Sequence, residues 1–229
     1  MPEPLSPSVG LGVLHLFMEV GPNLDSEAVV AAVKAAQTDG VQVITFAVLG
    51  HKADLGVMAL GGDLWRLRRL QAELCAAGLV LADSYVSMTE VSEYAKGMPE
   101  AMLKTRLYPQ LPPEGMRAMC FYPMSKRRGV GREDGNWFTL PLEDRQRLMH
   151  EHGTSGRKFA GRIIQLITGS AGLDDFEWGV TLFAKDPADL KEVVYTMRFD
   201  EASAVYAEFG PFVTGLIGDV GEVLTQVAR

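Results

Sequence analysis

A chain of 229 residues, 47% of them hydrophobic, has material for one large core or two small ones and the make-up of an ordinary globular protein. Its 22 basic and 29 acidic side chains leave a net charge of -7, which excludes a general attraction to nucleic acid or anionic membranes, so any anionic ligand has to be held by local basic residues. No apolar run is long enough to span a bilayer, and the opening MPEPLSPSVG lacks the basic start and apolar stretch of a signal peptide, so neither membrane insertion nor export is expected.

Residues 1–9 carry three prolines and read as a loose tail. The apolar run 10–20 is short enough for a buried strand. Asp25 or Ser26 then caps an Ala- and Val-rich helix that stops before Gly40. Residues 41–49 return to β-branched and aromatic types, and the GHKAD turn at 50–54 leads into a second apolar run at 55–60, a hairpin pattern. Leu64, Leu67, Leu70 and Leu74, spaced by three and four, mark an amphipathic helix over 64–77 closed by Gly78. A strand over 79–91 completes the order strand, helix, strand, strand, helix, strand of a ferredoxin-like unit. Cys75 and Cys120 are far apart and in apolar settings, which predicts buried reduced thiols and a reducing cytoplasm instead of a disulfide framework or a zinc site.

Residues 92–115, with Pro99, Pro109, Pro112 and Pro113, read as a connector with room for one short helix. The second half then repeats the first: strand 116–124, helix 141–152, strands 160–169 and 176–184, helix 187–196, strand 202–213. The repeat lies in element order and not in residues. The expected fold is therefore α+β, duplicated ferredoxin-like units whose two sheets pack as one α+β barrel-like domain, with an N-terminal half at 1–95, a connector at 96–115 and a C-terminal half at 116–229.

The helix at 141–152 has Pro141 near its first turn, Glu143 and Asp144 at its positive end, and Gly153 to end it, so His152 takes the last helical position. A histidine there either meets the terminal carbonyls or ligates a metal. His150 points to another face, so at most one of the two enters a shared pocket. Tyr122 reads as a strand aromatic with its hydroxyl toward water, or as a functional phenol. Lys126, Arg127 and Arg128 are either a solvated turn or a clamp for carboxylates. Alternation turns Gln165 of IIQLIT to solvent, Trp137 and Trp178 read as packing residues, and Glu201 as a surface carboxylate.

Taken together, YPMSKRR at 122–128, EHGTSGRKFAG at 151–161, QLITGSAGLDDFEWGVTLF at 165–183 and MRFDEASAVYAEFGPF at 197–212 resemble the coproheme decarboxylases of the chlorite dismutase-like superfamily. The likeness is dense over 116–215, and GHKAD at 50–54 is its best fragment before that. The resemblance implies duplicated ferredoxin-like units forming a dimeric α+β barrel, assembled as a homopentamer, with iron porphyrin held in the C-terminal half. It further implies haem biosynthesis in which hydrogen peroxide drives conversion of iron coproporphyrin III (coproheme) to haem b with loss of two carbon dioxide molecules, and a coproporphyrin ferrochelatase as partner.

By motif position the resemblance makes His152 the proximal iron ligand, Tyr122 the tyrosine that becomes a radical, and Gln165 the distal polar residue. It places Met124 and Lys126 near the reacting propionates, Arg157 by the pocket entrance, and Trp178 among the cofactor-binding positions; on chemical grounds the Glu201 carboxylate would suit the other imidazole nitrogen as a partner. Two departures stand out: GVGREDGNW at 129–137 is slightly long, and Val205 stands where a basic or polar residue is expected. Chlorite dismutation, the competing activity, needs a cationic distal arginine where this chain has neutral Gln165. A haem-binding protein without turnover has no need of Tyr122, and a structural oligomer binds no porphyrin. Nucleophile-elbow and P-loop patterns are absent.

Overall fold

Residues 3–95, 97–129 and 135–228 are described by a computed structural model. The first half contains β1 (Gly12–Val20), α1 (Ser26–Thr38), β2 (Gln42–Val48), β3 (Leu55–Gly61), α2 (Leu64–Ala76) and β4 (Leu79–Thr89), in the anticipated order. Asp25 caps α1 by accepting from the Ala28 amide, and Asp63 caps α2 by accepting from the Trp65 amide. Gly78 closes α2 at a φ of +94°, where a Cβ would stand 2.4 Å from the Asn23 carbonyl oxygen. The apolar stripes of both helices, including Val29, Val33, Leu67 and Leu70, pack on the outer face of this sheet.

Among the described residues the connector holds a short 3-10 turn, Glu93–Ala95, and one α-helix, α3 (Glu100–Leu107). The second half follows with β5 (Ala118–Lys126), α4 (Leu142–Arg157), β6 (Ile163–Gly169), β7 (Trp178–Ala184), α5 (Pro187–Met197), α6 (Glu201–Ala204), β8 (Ala207–Phe209), β9 (Val213–Gly218) and α7 (Val220–Val227).

Three expectations need correction. Gly153 does not end α4, which runs on to Arg157, and Pro141 is the residue before the first turn. The strand expected at 202–213 is instead the short helix α6 and two strand segments. The Asp200 carbonyl accepts from the Ser203 and Ala204 amides to start the helix, and the strand is broken at Gly210 and Pro211. Proline lacks a ladder donor, and a Cβ on Gly210 would meet Pro123 Cγ at 2.6 Å. Finally, Cys75 is exposed, although Cys120 is buried and both are free thiols.

The strand order is β4-β1-β3-β2 in the first half and β6-β7-β5-β9 in the second, the same ferredoxin-like order read in opposite directions. Antiparallel pairs β2–β9 and β4–β6 join the two sheets, so the pairings close on themselves. The β4–β6 joint is short, Met88 to Gly169 and Thr89 to Thr168. Both halves feed one interior, where Phe17, Phe46, Met58 and Tyr85 meet Met119, Phe121 and Phe183. Each such side chain contributes about 1.5–3 kcal/mol when fully buried. Among the described residues, no helix is long and apolar enough to cross a membrane.

Candidate functional site

Side-chain alternation along β5 separates two environments. Met119 and Phe121 enter the interior, whereas Ala118, Cys120, Tyr122 and Met124 face outward toward the second half's helices. Register carries that outward face across the sheet, because residues directly opposite one another project to the same side. Cys120 lies opposite Leu182 and Leu182 opposite Gln165; Tyr122 is followed by Val180 and Ile167; Met124 by Trp178 and Gly169. Tyr122, Met124, Gln165 and Trp178 therefore share one surface, with Gln165 two strands, about 10 Å, from Cys120.

The Tyr122 ring stacks on Phe212 at 4.4 Å between centroids and meets the edge of Phe209 at 5.7 Å. Only 7% of the residue is exposed, and burial pushes its phenol pKa above the usual range. Its hydroxyl has no hydrogen-bond partner among the described residues. Gln165 itself is exposed. Trp178 donates its indole N–H to Glu90 Oε1 at 3.0 Å, tying this face to the end of β4.

On α4, Leu148, His152 and Ser155 fall on one side at helical spacing. Leu148 packs with Trp137, Ala202 and Tyr206. One turn further, His152 Nδ1 lies 3.0 Å from Asp200 Oδ2, and Ser155 Oγ donates to Asp200 Oδ1 at 2.8 Å. Asp200 stands at the capping position of α6, yet its carboxylate makes no cap bond and is turned to α4. Burial lowers the His152 pKa and the Lys126 charge lowers it further, against the pull of Asp200, so the ring is neutral near pH 7. A carboxylate accepts, hence Nδ1 carries the proton and the Nε2 lone pair is free to bind a metal.

Lys126, at the end of β5, is 8% exposed. Its ammonium donates to the Ala202 carbonyl at 2.7 Å and sits 4.3 Å over the Trp137 ring. Burial pushes its pKa down to about 8, with Glu177 opposing. Glu177 accepts from the Lys126 amide at 2.9 Å and from the Arg128 guanidinium, so Arg128 already has a carboxylate partner within the chain. Arg157 is exposed on the last turn of α4 and donates to Thr154 Oγ1 at 2.6 Å.

Glu201, expected to orient the imidazole, is exposed; the neighbouring Asp200 does so instead. Sequence reasoning also missed Ser155, Phe209 and Phe212. The signal for Asp200 was an acid directly before a short Ala-rich helix, and only the fold reveals that its carboxylate is diverted from capping. Residues 130–134 of the long loop lie outside the described residues, and Val205 is 39% exposed. A separate cavity of about 420 Å³ between α1, β2 and α7, lined by Lys34, Arg117 and Glu222 among others, shares no residue with this face.

Among the described residues no group of three or more His, Cys, Asp or Glu is arranged to hold a metal ion. An ion at His152 would need its remaining ligands from a bound group. The outer face of β5, β7 and β6, mostly apolar with Gln165 and Lys126 as polar exceptions, suits a flat one.

The family model described as Chlorite dismutase matches residues 25–218. A coproheme decarboxylase of Staphylococcus carnosus is 46% identical over 178 residues, 73% of this chain and 70% of that protein. A protein of Natronomonas pharaonis named for haem binding is 46% identical over 187 residues, 74% of this chain, although the match spans only 30% of that relative's length. Among solved structures, a haem-binding protein from Thermus thermophilus superposes with a TM-score of 0.83 at 38% identity, covering 99% of this chain and 98% of its own.

Proposed function

This chain belongs to the chlorite dismutase family, and we propose that its reaction is the peroxide-dependent conversion of iron coproporphyrin III to haem b. The observation that carries the proposal is a neutral imidazole held by Asp200 and within electrostatic reach of Lys126, together with a buried phenol, Tyr122, on the strand that Lys126 ends. A haem carrier needs the first alone; hydrogen-atom chemistry at the porphyrin rim needs the second.

His152 Nε2 is the iron ligand in this reading, and Ile167, Met124 and Trp178 belong to the wall against which the ring lies. When bound, the iron porphyrin supplies oxidising equivalents drawn from hydrogen peroxide. Gln165 offers a neutral donor on the sheet side and no cation for a chlorine oxyanion. Tyr122 gives up the proton and electron of its O–H bond, and its radical then takes a hydrogen atom from the β-carbon of a propionate. Loss of a second electron breaks the bond to the carboxylate, releasing carbon dioxide and leaving a vinyl group. For each propionate two electrons and one proton depart, and one peroxide with two protons becomes two waters.

Lys126 lies four residues from Tyr122 on the same face of β5, and it exchanges the Ala202 carbonyl for a propionate carboxylate. Arg157 serves at the entrance. The same reading carries a cytoplasmic homopentamer supplied by a coproporphyrin ferrochelatase, with residues 1–95 as the supporting half, 96–115 as connector and 116–229 as the half that binds porphyrin.

The test is to mix the purified protein with iron coproporphyrin III, titrate hydrogen peroxide and identify the porphyrins by mass. Loss of two carboxyl groups is expected, and His152→Ala, but not His150→Ala, should abolish the histidine-ligated ferric spectrum. Absence of vinyl products, or oxygen release from chlorite at a comparable rate, overturns the proposal.

A further inference from the structure

The first half contributes one cation to the rim of this face. Lys52 lies in the turn between β2 and β3, and that turn is fixed at several points. The Val48 amide donates to the Asp54 carbonyl at 2.9 Å and the Asp54 amide to the Met18 carbonyl at 2.9 Å. Asp54 Oδ2 accepts from the Val20 amide at 2.9 Å, and the Leu49 amide donates to the Thr214 carbonyl at 2.8 Å. Ala53 is buried in the shared interior. The exposed Lys52 side chain crosses from this anchored turn to the second half, where its ammonium donates to the Phe212 carbonyl.

Phe212 is the residue whose ring stacks on Tyr122. The charge also reaches Cys120, the outward neighbour of Tyr122 on β5: burial raises that thiol's pKa and Lys52 acts against the rise. No carboxylate neutralises Lys52 among the described residues. By contrast, Arg128 is bound to Glu177 and Lys126 is buried against Ala202. A chain of net charge -7 that binds a porphyrin with four carboxylates needs uncommitted cations at the rim, and Lys52 is placed to be one.

We propose that Lys52 is a substrate-binding residue supplied by the first half, holding the porphyrin carboxylate on the Tyr122 side and so favouring the four-carboxylate substrate over the two-carboxylate product. This rests on the porphyrin reading above. The ammonium leaves the Phe212 carbonyl for the carboxylate, a short swing on a rigid base, so little ordering opposes binding.

The test uses metal-free porphyrins, which bind without turnover. Coproporphyrin III and protoporphyrin IX are titrated by fluorescence into the unmodified protein, Lys52→Gln and Lys52→Arg. Gln keeps a donor for the Phe212 carbonyl but removes the charge, and urea unfolding checks that each variant is folded. Lys52→Gln should weaken coproporphyrin III about tenfold and protoporphyrin IX less than about twofold. Lys52→Arg should restore the difference. An equal loss for both porphyrins makes Lys52 a packing element of the turn and overturns the proposal, as does no loss for either. Failure of the unmodified protein to bind either porphyrin sinks the porphyrin reading itself.

Discussion

Tyr122→Phe removes one oxygen and little else, which makes it the cleanest perturbation of this site. The ring stays in its stack with Phe212 and its edge contact with Phe209. The lost hydroxyl has no partner among the described residues, and burial keeps it protonated at any working pH. No hydrogen bond disappears, so the stability change should lie within about 0.5 kcal/mol, whereas Tyr122→Ala, which empties a buried ring site, should cost about 3–5 kcal/mol. Urea unfolding measures both. The Phe variant should also bind iron coproporphyrin III with unchanged affinity and still consume peroxide. Vinyl products, followed by mass, should fall at least about a hundredfold, since a positioned relay is lost. Haem b formation by the Phe variant at near the original rate would refute the radical role and return Tyr122 to being a wall of the pocket. A Phe variant destabilised as much as the Ala variant would refute the claim that the hydroxyl is unpartnered.

Further outcomes follow from the same geometry. Asp200→Asn should weaken porphyrin iron binding about 10–100-fold in an absorption titration, while Glu201→Gln should not; the reverse result would mean that the imidazole partner is misassigned. Gln165→Ala should leave iron coproporphyrin binding intact and slow its reaction with peroxide about tenfold or more in stopped-flow traces, and an unchanged rate would remove Gln165 from the site. His15 is fully buried, bonded to Thr181 Oγ1 at 3.1 Å, and burial lowers its pKa to about 3 from 6.5. The unfolded chain therefore binds a proton below pH 6.5 that the folded chain refuses, so stability is full above that pH and falls toward pH 3. Between about pH 7.5 and 5 the stability difference between the unmodified protein and His15→Leu should shrink by about 2 kcal/mol in urea unfolding, and parallel pH profiles would show that His15 is not neutral in the fold.

The first half was legible because its signals are local. Leucines at three- and four-residue spacing, Asp25 as a cap, and Gly78 at a positive φ act within a few residues of where they stand. The second half misleads where distant contacts decide. Gly153 looks like a helix end, but Ser155 is held by Asp200, 45 positions away, and α4 continues through the glycine. The break at Gly210 and Pro211 is likewise set by Pro123 and Phe176, which crowd the backbone there. At the site, motif likeness pointed to candidate residues, yet the choice between Asp200 and Glu201 as the imidazole's partner depends on which side chain turns to α4.

Duplication also explains why the outer faces of the two sheets are covered differently. The outer face of the first sheet is sealed: Leu16, Met18, Leu55, Val57 and Ala59 are fully buried beneath α1, α2 and α7. The third helix on that side, α7, belongs by sequence to the second half and brings Val220, Val223 and Leu224 to the first half's core. The second sheet lacks a matching cover. On its outer face Ile167 is 45% exposed, Phe209 44% and Leu216 46%, although α5 seals Ala184 and Leu182 with Leu190 and Val193. Apolar area left open at about 25 cal/mol per Å² is a standing driving force for a flat apolar ligand. Lending α7 to the other half is thus what leaves the surface around Tyr122 and Gln165 available, and the same crossing of halves brings Lys52 to its rim.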